Sequence, residues 1–345
     1  MSGYVTEVLV GADEEKLNSA LMHGTRIHLA ESGYIESTDD HGIKVHGTAP
    51  PIWKDFFQTN YAAKWRGSNT KASHYTTDFL GYRYRCCLSN SAKGWSISLC
   101  RLPNKVPALR DDLGLDVSVI EPLTQGSGLT LFAGRMASGK STTMAATIGQ
   151  LDSRFASIAT VEDPIEVLYP SQSIIQREVG THVESFPEAI RDCVRQNRTT
   201  IVVSEIRDSE TAEAALLAAS TGHSVFATIH ADNAFDIYTR MLILVGQRYE
   251  RVLARNLRGL WWQQVVRFGT HERRPVPIYE SVLIDNEARI ILDGGPSKLQ
   301  MLASVMERQG RKDMAHVAMM AVTQGRASRE EMFEFLNRRN RLSLD

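Results

Sequence analysis

Two hydrophobic patterns divide the chain. Over the first hundred residues the apolar positions come in short, interrupted sets. Val5-Thr6-Glu7-Val8-Leu9-Val10 predicts a strand, and Asp13 to Met22 a helix with Leu17, Ala20 and Leu21 on one face and Gly24 as its stop. Short strands are expected at Arg26–Glu31 and Ile43–Gly47. Pro51 opens a helix to about Lys64, striped by Trp53, Phe56, Phe57 and Tyr61. Tyr82-Arg83-Tyr84-Arg85-Cys86 and Trp95-Ser96-Ile97-Ser98-Leu99 alternate with period two, and Asn90 to Gly94 supply the turn of a hairpin. Leu102-Pro103 to Pro107 breaks the pattern and reads as a linker.

From about Leu109 the runs become continuous. Leu129–Ala133, Ser157–Val161, Thr200–Val203 and Ser224–Ile229 predict buried strands. Helices are expected from Gly139, over 185–196, and over 208–220. Phe186, Ala189, Ile190, Cys193 and Val194 recur at i, i+3, i+4, i+7 and i+8. Strands alternating with helices imply an α/β unit with a mostly parallel sheet covered on both faces. The tail is helical at Ser297–Gln309, Asp313–Val322 and Arg329–Asn337. The expected organisation is an N-terminal α+β domain over 1–102, a linker over 103–112 and an α/β domain over 113–345.

Composition narrows the class. The 345 residues carry 39 Lys+Arg against 40 Asp+Glu, a formal net charge of −1, with 43% hydrophobic and 23% charged residues. That excludes a disordered chain, and no stretch approaches a membrane-spanning length. The start has no basic region backed by an apolar run, so no secretory signal is expected. Residues 1–108 hold 12 basic and 10 acidic side chains and the remainder 27 and 30, so neither part has the basic excess of a nucleic-acid binder. Cys86, Cys87, Cys100 and Cys193 lack metal-ligand spacing. Adjacent Cys86 and Cys87 on a strand would face opposite ways, so these thiols read as small core residues in a reducing compartment.

Four motifs carry chemistry. Gly134-Arg-Met-Ala137-Ser138-Gly139-Lys140-Ser141, then Thr142, is a phosphate loop placed after a buried strand and before a helix. Its backbone amides and the helix N-terminus would wrap phosphates, Lys140 would reach the β- and γ-phosphates, Ser141 would ligate Mg²⁺ and Thr142 would sit near the α-phosphate. Thr200-Ile-Val-Val-Ser204-Glu205-Ile-Arg-Asp208 is an apolar strand ending in an acid, which makes Glu205 the candidate general base. Val161-Glu162-Asp163-Pro-Ile-Glu166 puts three carboxylates in five residues, a costly cluster unless a cation such as water-held Mg²⁺ sits among them. Thr221-Gly222-His223 to His230 brackets a buried strand with histidines, which points to nucleotide sensing.

In this order the motifs resemble the secretion-ATPase superfamily, with VEDPIE similar to its Asp box, VSEIRD to its Walker B and TGHSVFATIHA to its His box. The likeness runs from about Phe79 to Gly325. Within the family the sequence looks closest to the PilT-like branch, and in particular to the DotB and TraJ ATPases of Dot/Icm-type secretion and IncI-type conjugation. The resemblance implies a PAS-like N-terminal domain, a RecA-like ATPase domain and a homohexameric ring working on integral inner-membrane components from the cytoplasmic face, with no direct nucleic-acid contact. It implies ATP and Mg²⁺ as cofactors, nucleotide between the domains, and arginines from the N-terminal domain at the phosphates. Arg83, Arg85 and Arg101 lie in the segments similar to those carrying these arginines, and alternation puts Arg83 and Arg85 on one strand face.

The site implied in full comprises Glu205, Lys140, Glu162, Glu166, His230, Arg83, Arg85 and Arg101 as catalytic groups. Gly134, Ala137, Ser138, Gly139, Lys140, Ser141, Thr142 and His223 would hold nucleotide, with Ser141, Asp163 and Glu162 near the metal. The sequence departs from the family at Ser204, where glycine is usual, in having no four-cysteine cluster, and in having only a general likeness to AIRNLIRE, at Ile291–Gln300. Those departures favour secretion or conjugation over strict pilus retraction. A RecA-type nucleic-acid motor is the reading from another class, and stimulation by single-stranded DNA would mark it.

Overall fold

A computed structural model describes residues 8–9, 14–39, 44–65, 72–151, 156–267 and 274–342. The described residues divide into two units, one running to Asn104 and one from Lys105 onward. Each is described by itself.

The first unit holds β1 (Val8–Leu9), α1 (Glu14–His23), β2 (Arg26–Ala30), β3 (Tyr34–Thr38), β4 (Lys44–Thr48), α2 (Pro51–Trp65), β5 (Ala72–Phe79), β6 (Tyr82–Ser91) and β7 (Gly94–Arg101). Residues Val5–Glu7, Val10, Asp13 and Ile43 of the expected elements lie outside the described residues. The sheet order is β1-β4-β3-β2-β7-β6-β5, antiparallel except for the β1–β4 pair. Leu17 and Leu21 of α1 and Trp53, Phe56 and Phe57 of α2 pack with Ile27, Leu29, Ile35, Tyr84, Cys86, Leu88, Ile97 and Leu99. Along β6 the alternation expected from sequence is visible in burial: Tyr84, Cys86 and Leu88 are buried while Arg83 and Cys87 are half-buried and Arg85 is exposed. Strands β3 and β5 were not legible in the hydrophobic pattern, because Glu36, Ser37, Thr76, Thr77 and Asp78 dilute it.

The second unit begins with α3 (Val117–Thr124), whose N-cap Asp116 accepts from Ser118 N. It continues through β8 (Gly128–Ala133), α4 (Lys140–Gly149), β9 (Ile158–Glu162), β10 (Ile174–Glu178), α5 (Phe186–Arg195), β11 (Thr200–Val203), α6 (Ser209–Ser220) and β12 (Ser224–Ile229). Next come α7 (Asp236–Val245), α8 (Glu250–Asn256), β13 (Leu257–Val266), β14 (Val276–Leu283), α9 (Asn286–Asp293), α10 (Leu302–Arg308), α11 (Met314–Thr323) and α12 (Arg329–Leu342). The sheet order is β10-β9-β11-β12-β8-β13-β14. Every pair is parallel except β13–β14. All six positions of β8 and all four of β11 are buried, so both faces of the sheet centre are covered, as the continuous apolar runs predict.

The main core gathers Leu129, Leu131 and Ala133 of β8 with Ile190 of α5, Leu216 of α6, Ile237 and Met241 of α7, and Leu292 of α9. Trp261 and Trp262 are 0% and 1% exposed, so both indoles are core residues. The expected 297–309 helix is split into a 3-10 turn over Pro296–Met301 followed by α10.

Candidate nucleotide site

The glycine loop leaves the C-terminal end of β8 and enters α4. Gly134, Ala137 and Gly139 have φ of 152°, 60° and 80°. A Cβ on Gly134 would sit 2.3 Å from the Gln263 carbonyl oxygen, so glycine is required there by close approach of β13 as well as by the dihedral. Ser138 is buried and its hydroxyl has no hydrogen-bond partner. Ser141 and Thr142 are half-buried in the first turn of α4, where backbone N–H groups lie unpaired within the helix.

Register carries the remaining groups to the same edge. Parallel pairing of β8, β12, β11 and β9 places the ends of all four strands beside the loop. Lys140, 7% exposed, has its Nζ 3.6 Å from Glu205 Oε1 and 3.4 Å from the His230 ring nitrogens. His230 Nε2 lies 2.8 Å from Glu205 Oε1. Arg207 Nε donates to Glu205 Oε2 at 2.5 Å, and its Nη1 lies 3.8 Å from Asp163 Oδ2. Lys140, Glu205, His230, Arg207 and Asp163 therefore form one connected ionic cluster at the loop.

The carboxylates differ in kind. Burial pushes the Glu205 carboxyl up, but the Arg207 hydrogen bond, with the charges of Lys140, Arg207 and His230, outweighs it and holds the group below the usual glutamate range. Burial also dominates at Glu162, and there it wins: the carboxyl is raised although Thr160 Oγ1 donates at 2.6 Å and Gln176 Nε2 at 3.0 Å. The Glu166 backbone also bonds Glu162, and the nearby Glu166 carboxylate adds to the upward shift. Burial lowers the Lys140 ammonium, opposed by Glu205. Asp208 is the N-cap of α6, accepting from Thr211 N at 2.8 Å.

One expected nucleotide-binding residue lies elsewhere. His223 precedes β12 and its carbonyl accepts from Gly128 N, at the start of β8 rather than its end. Its Nδ1 lies 3.1 Å from both the Ala218 carbonyl oxygen and Thr221 Oγ1. The fold does not bring His223 to the loop: a parallel strand presents its carboxyl end there, and His223 is at the other. In the first unit, Arg83 Nη2 donates to Thr76 Oγ1 at 3.2 Å. Arg101 donates to the Met22 carbonyl at 3.0 Å, with its guanidinium 3.1 Å from the Tyr82 ring centroid. Sequence reasoning missed Arg207, although its place two residues after the strand-end acid was a usable signal. It also missed Thr160 and Gln176, whose role depends on strand pairing.

Residues 115–342 match the sequence profile of the family described as Type II/IV secretion system protein. The chain belongs to that family. Type IV pilus ATPase PilU of Pseudomonas aeruginosa is 30% identical over 253 residues, 71% of this chain and 66% of that protein. The crystal structure of the pilus retraction motor PilT with bound ADP superimposes with a TM-score of 0.76 at 28% identity, covering 93% of this chain and 95% of that one. The ATPase DotB of Legionella pneumophila shares the fold, with a TM-score of 0.77 at 24% identity over 96% of this chain and 99% of that one. Alignments span between 28% and 67% of the length of the curated relatives matched. The fold is the RecA-like secretion-ATPase fold expected from the motifs.

Proposed function

We propose that this chain hydrolyses ATP to ADP and phosphate as one subunit of a homohexameric motor for a membrane-spanning type IV secretion or conjugation machine. The observation that carries the reading is the contact of Lys140, Glu205 and His230 at the mouth of a glycine loop, in a chain of the Type II/IV secretion family.

The residues present fit a phosphate chain with Mg²⁺. Gly134 and Gly139 keep open a cradle that a Cβ would fill, and a nearly buried ammonium stands at its mouth. No group of three or more His, Cys, Asp or Glu among the described residues is arranged to hold a metal. Ser141 would therefore hold Mg²⁺ together with phosphate oxygens, while Asp163 and, behind it, Glu162 supply negative charge nearby. Bound there, Mg²⁺ neutralises charge on the phosphates. Lys140 offsets charge developing on the transferred phosphoryl group. Glu205, held ionised by its cationic neighbours, orients and deprotonates the attacking water. His230 and Arg207 fix the two oxygens of that carboxylate, and Glu166 backs Glu162. Ala137, Ser138 and Thr142 contribute loop backbone to the phosphates. Arg83, Arg85 and Arg101 are proposed as the clamp from the first unit, with the segment near Pro103–Pro107 as the hinge.

No helix among the described residues is long and apolar enough to cross a membrane. The motor is proposed to act on integral inner-membrane components of the machine. Likeness to PilU and PilT favours pilus retraction as the second reading. Phosphate release measured at several protein concentrations tests the enzyme: specific activity should rise with concentration as rings assemble, and no turnover at any concentration contradicts it. A deletion strain scored for conjugation, protein secretion and twitching separates the machines.

A further inference from the structure

Strand β13 lies beside the glycine loop and carries one polar side chain that apolar packing does not explain. Gln263 is 1% exposed. A buried primary amide is tolerated only when both its ends are bonded. Trp261 Nε1 donates to Gln263 Oε1 at 2.8 Å, and Gln263 Nε2 donates to the Ser138 carbonyl oxygen at 2.8 Å. An indole N–H is a donor only, so the amide oxygen must face Trp261 and the amide nitrogen must face the loop. Trp261 is itself held, fully buried and stacked on Tyr279 with centroids 4.5 Å apart and planes 17° apart. The amide also lies against the second loop glycine, since a Cβ on Gly139 would come within 2.9 Å of Gln263 Nε2.

We propose that Gln263 is a positioning residue for the phosphate loop, locking the Ser138–Gly139 peptide so that the Gly139 N–H faces the phosphates. This rests on the nucleotide-site reading above. In a trans peptide the C=O and the following N–H point in opposite directions, and the 138–139 bond is trans. Drawing the Ser138 carbonyl toward β13 therefore turns the Gly139 N–H away from β13, into the loop. Glycine at 139 removes the steric barrier that would otherwise oppose a peptide flip. A flipped peptide would present a carbonyl oxygen to a phosphate. The freedom that lets the loop form thus has to be removed by another element, and Gln263 removes it from a position 125 residues away in sequence.

The test titrates ADP into the full chain as wild type, Gln263→Leu and Trp261→Phe, with 5-fluorotryptophan incorporated. Gln263→Leu should weaken ADP binding about tenfold or more, and Trp261→Phe, which removes the N–H that aims the amide, about fivefold. The fluorine resonance of Trp261, assigned by its absence in Trp261→Phe, should shift with ADP in the wild type and stay fixed in Gln263→Leu saturated with ADP. A purely structural amide would not transmit that response. Wild-type ADP affinity in Gln263→Leu overturns the proposal. If Gln263→Leu does not fold, Trp261→Phe decides, and unchanged ADP affinity in it overturns the proposal equally. Failure of the wild type itself to bind ADP refutes the nucleotide-site reading first, and this inference with it.

Discussion

The two edges of the parallel sheet in the second unit use the same residue types for different ends. At the carboxyl edge, Lys140, Glu205, Arg207, His230 and Asp163 form one linked cluster beside the glycine loop. At the amino edge, His223 lies against the final turn of α6 and Thr221. The two histidines flank one six-residue strand, so they stand about 20 Å apart. The contrast shows that strand direction, more than residue identity, decides which polar groups can act. Parallel strands and the helices that follow them bring carboxyl ends and helix N-termini to one edge, and only that edge can concentrate a phosphate site.

The largest effect should come from the carboxylate that distinguishes the edges. Glu205→Gln keeps the shape but cannot accept a proton, so hydrolysis measured as phosphate release should fall about 100-fold or more while ATP binding survives. Turnover near the wild-type rate would remove Glu205 from the base role. Next in size is the histidine pair. His230→Ala, which removes the 2.8 Å contact to Glu205 Oε1, should lower turnover about tenfold, whereas His223→Ala should stay within about twofold. Equal losses in the two variants would erase the distinction between the edges.

The smallest effect separates the two glutamates. Glu162 has a raised carboxyl in the folded state, so its favourable contribution is complete below the usual value of 4.5 and is lost as pH rises through the higher folded value. Glu205 is shifted down, so its contribution is present above that value and is lost as pH falls through the lower folded value. Melting curves of Glu162→Gln should therefore gain on the wild type as pH rises from 4 toward neutrality. Glu205→Gln should lose ground over the same range. Parallel curves for both would contradict the opposed environments.

Much of this could be read before the fold was in view. Leu129–Ala133, Thr200–Val203 and Ser224–Ile229 are continuous apolar runs because both faces of their strands are covered, and each corresponds to an observed strand. Strands β10 and β14 escaped, since Gln176, Arg177 and Glu178 give an edge strand a polar pattern and two prolines border or enter β14. Helices α7 to α9 were also missed, being short and flanked by glycine and polar residues. The loop lysine and the strand-end acid were legible because their roles follow from local spacing. Gln263 was not, because its partner Ser138 becomes a neighbour only when β13 pairs with β8. The separation of His223 from the loop was not legible in the motif, because it follows from the direction of the parallel strands and not from spacing.

The measurement closest to the central claim is calorimetric titration of ADP with Mg²⁺ into the wild-type chain and into Lys140→Ala. The account predicts binding in the wild type and a loss of about 100-fold or more in the variant, from removing a nearly buried ammonium at the loop. Equal affinity in the two proteins, or no binding in either, would contradict the assignment of this edge as a nucleotide site.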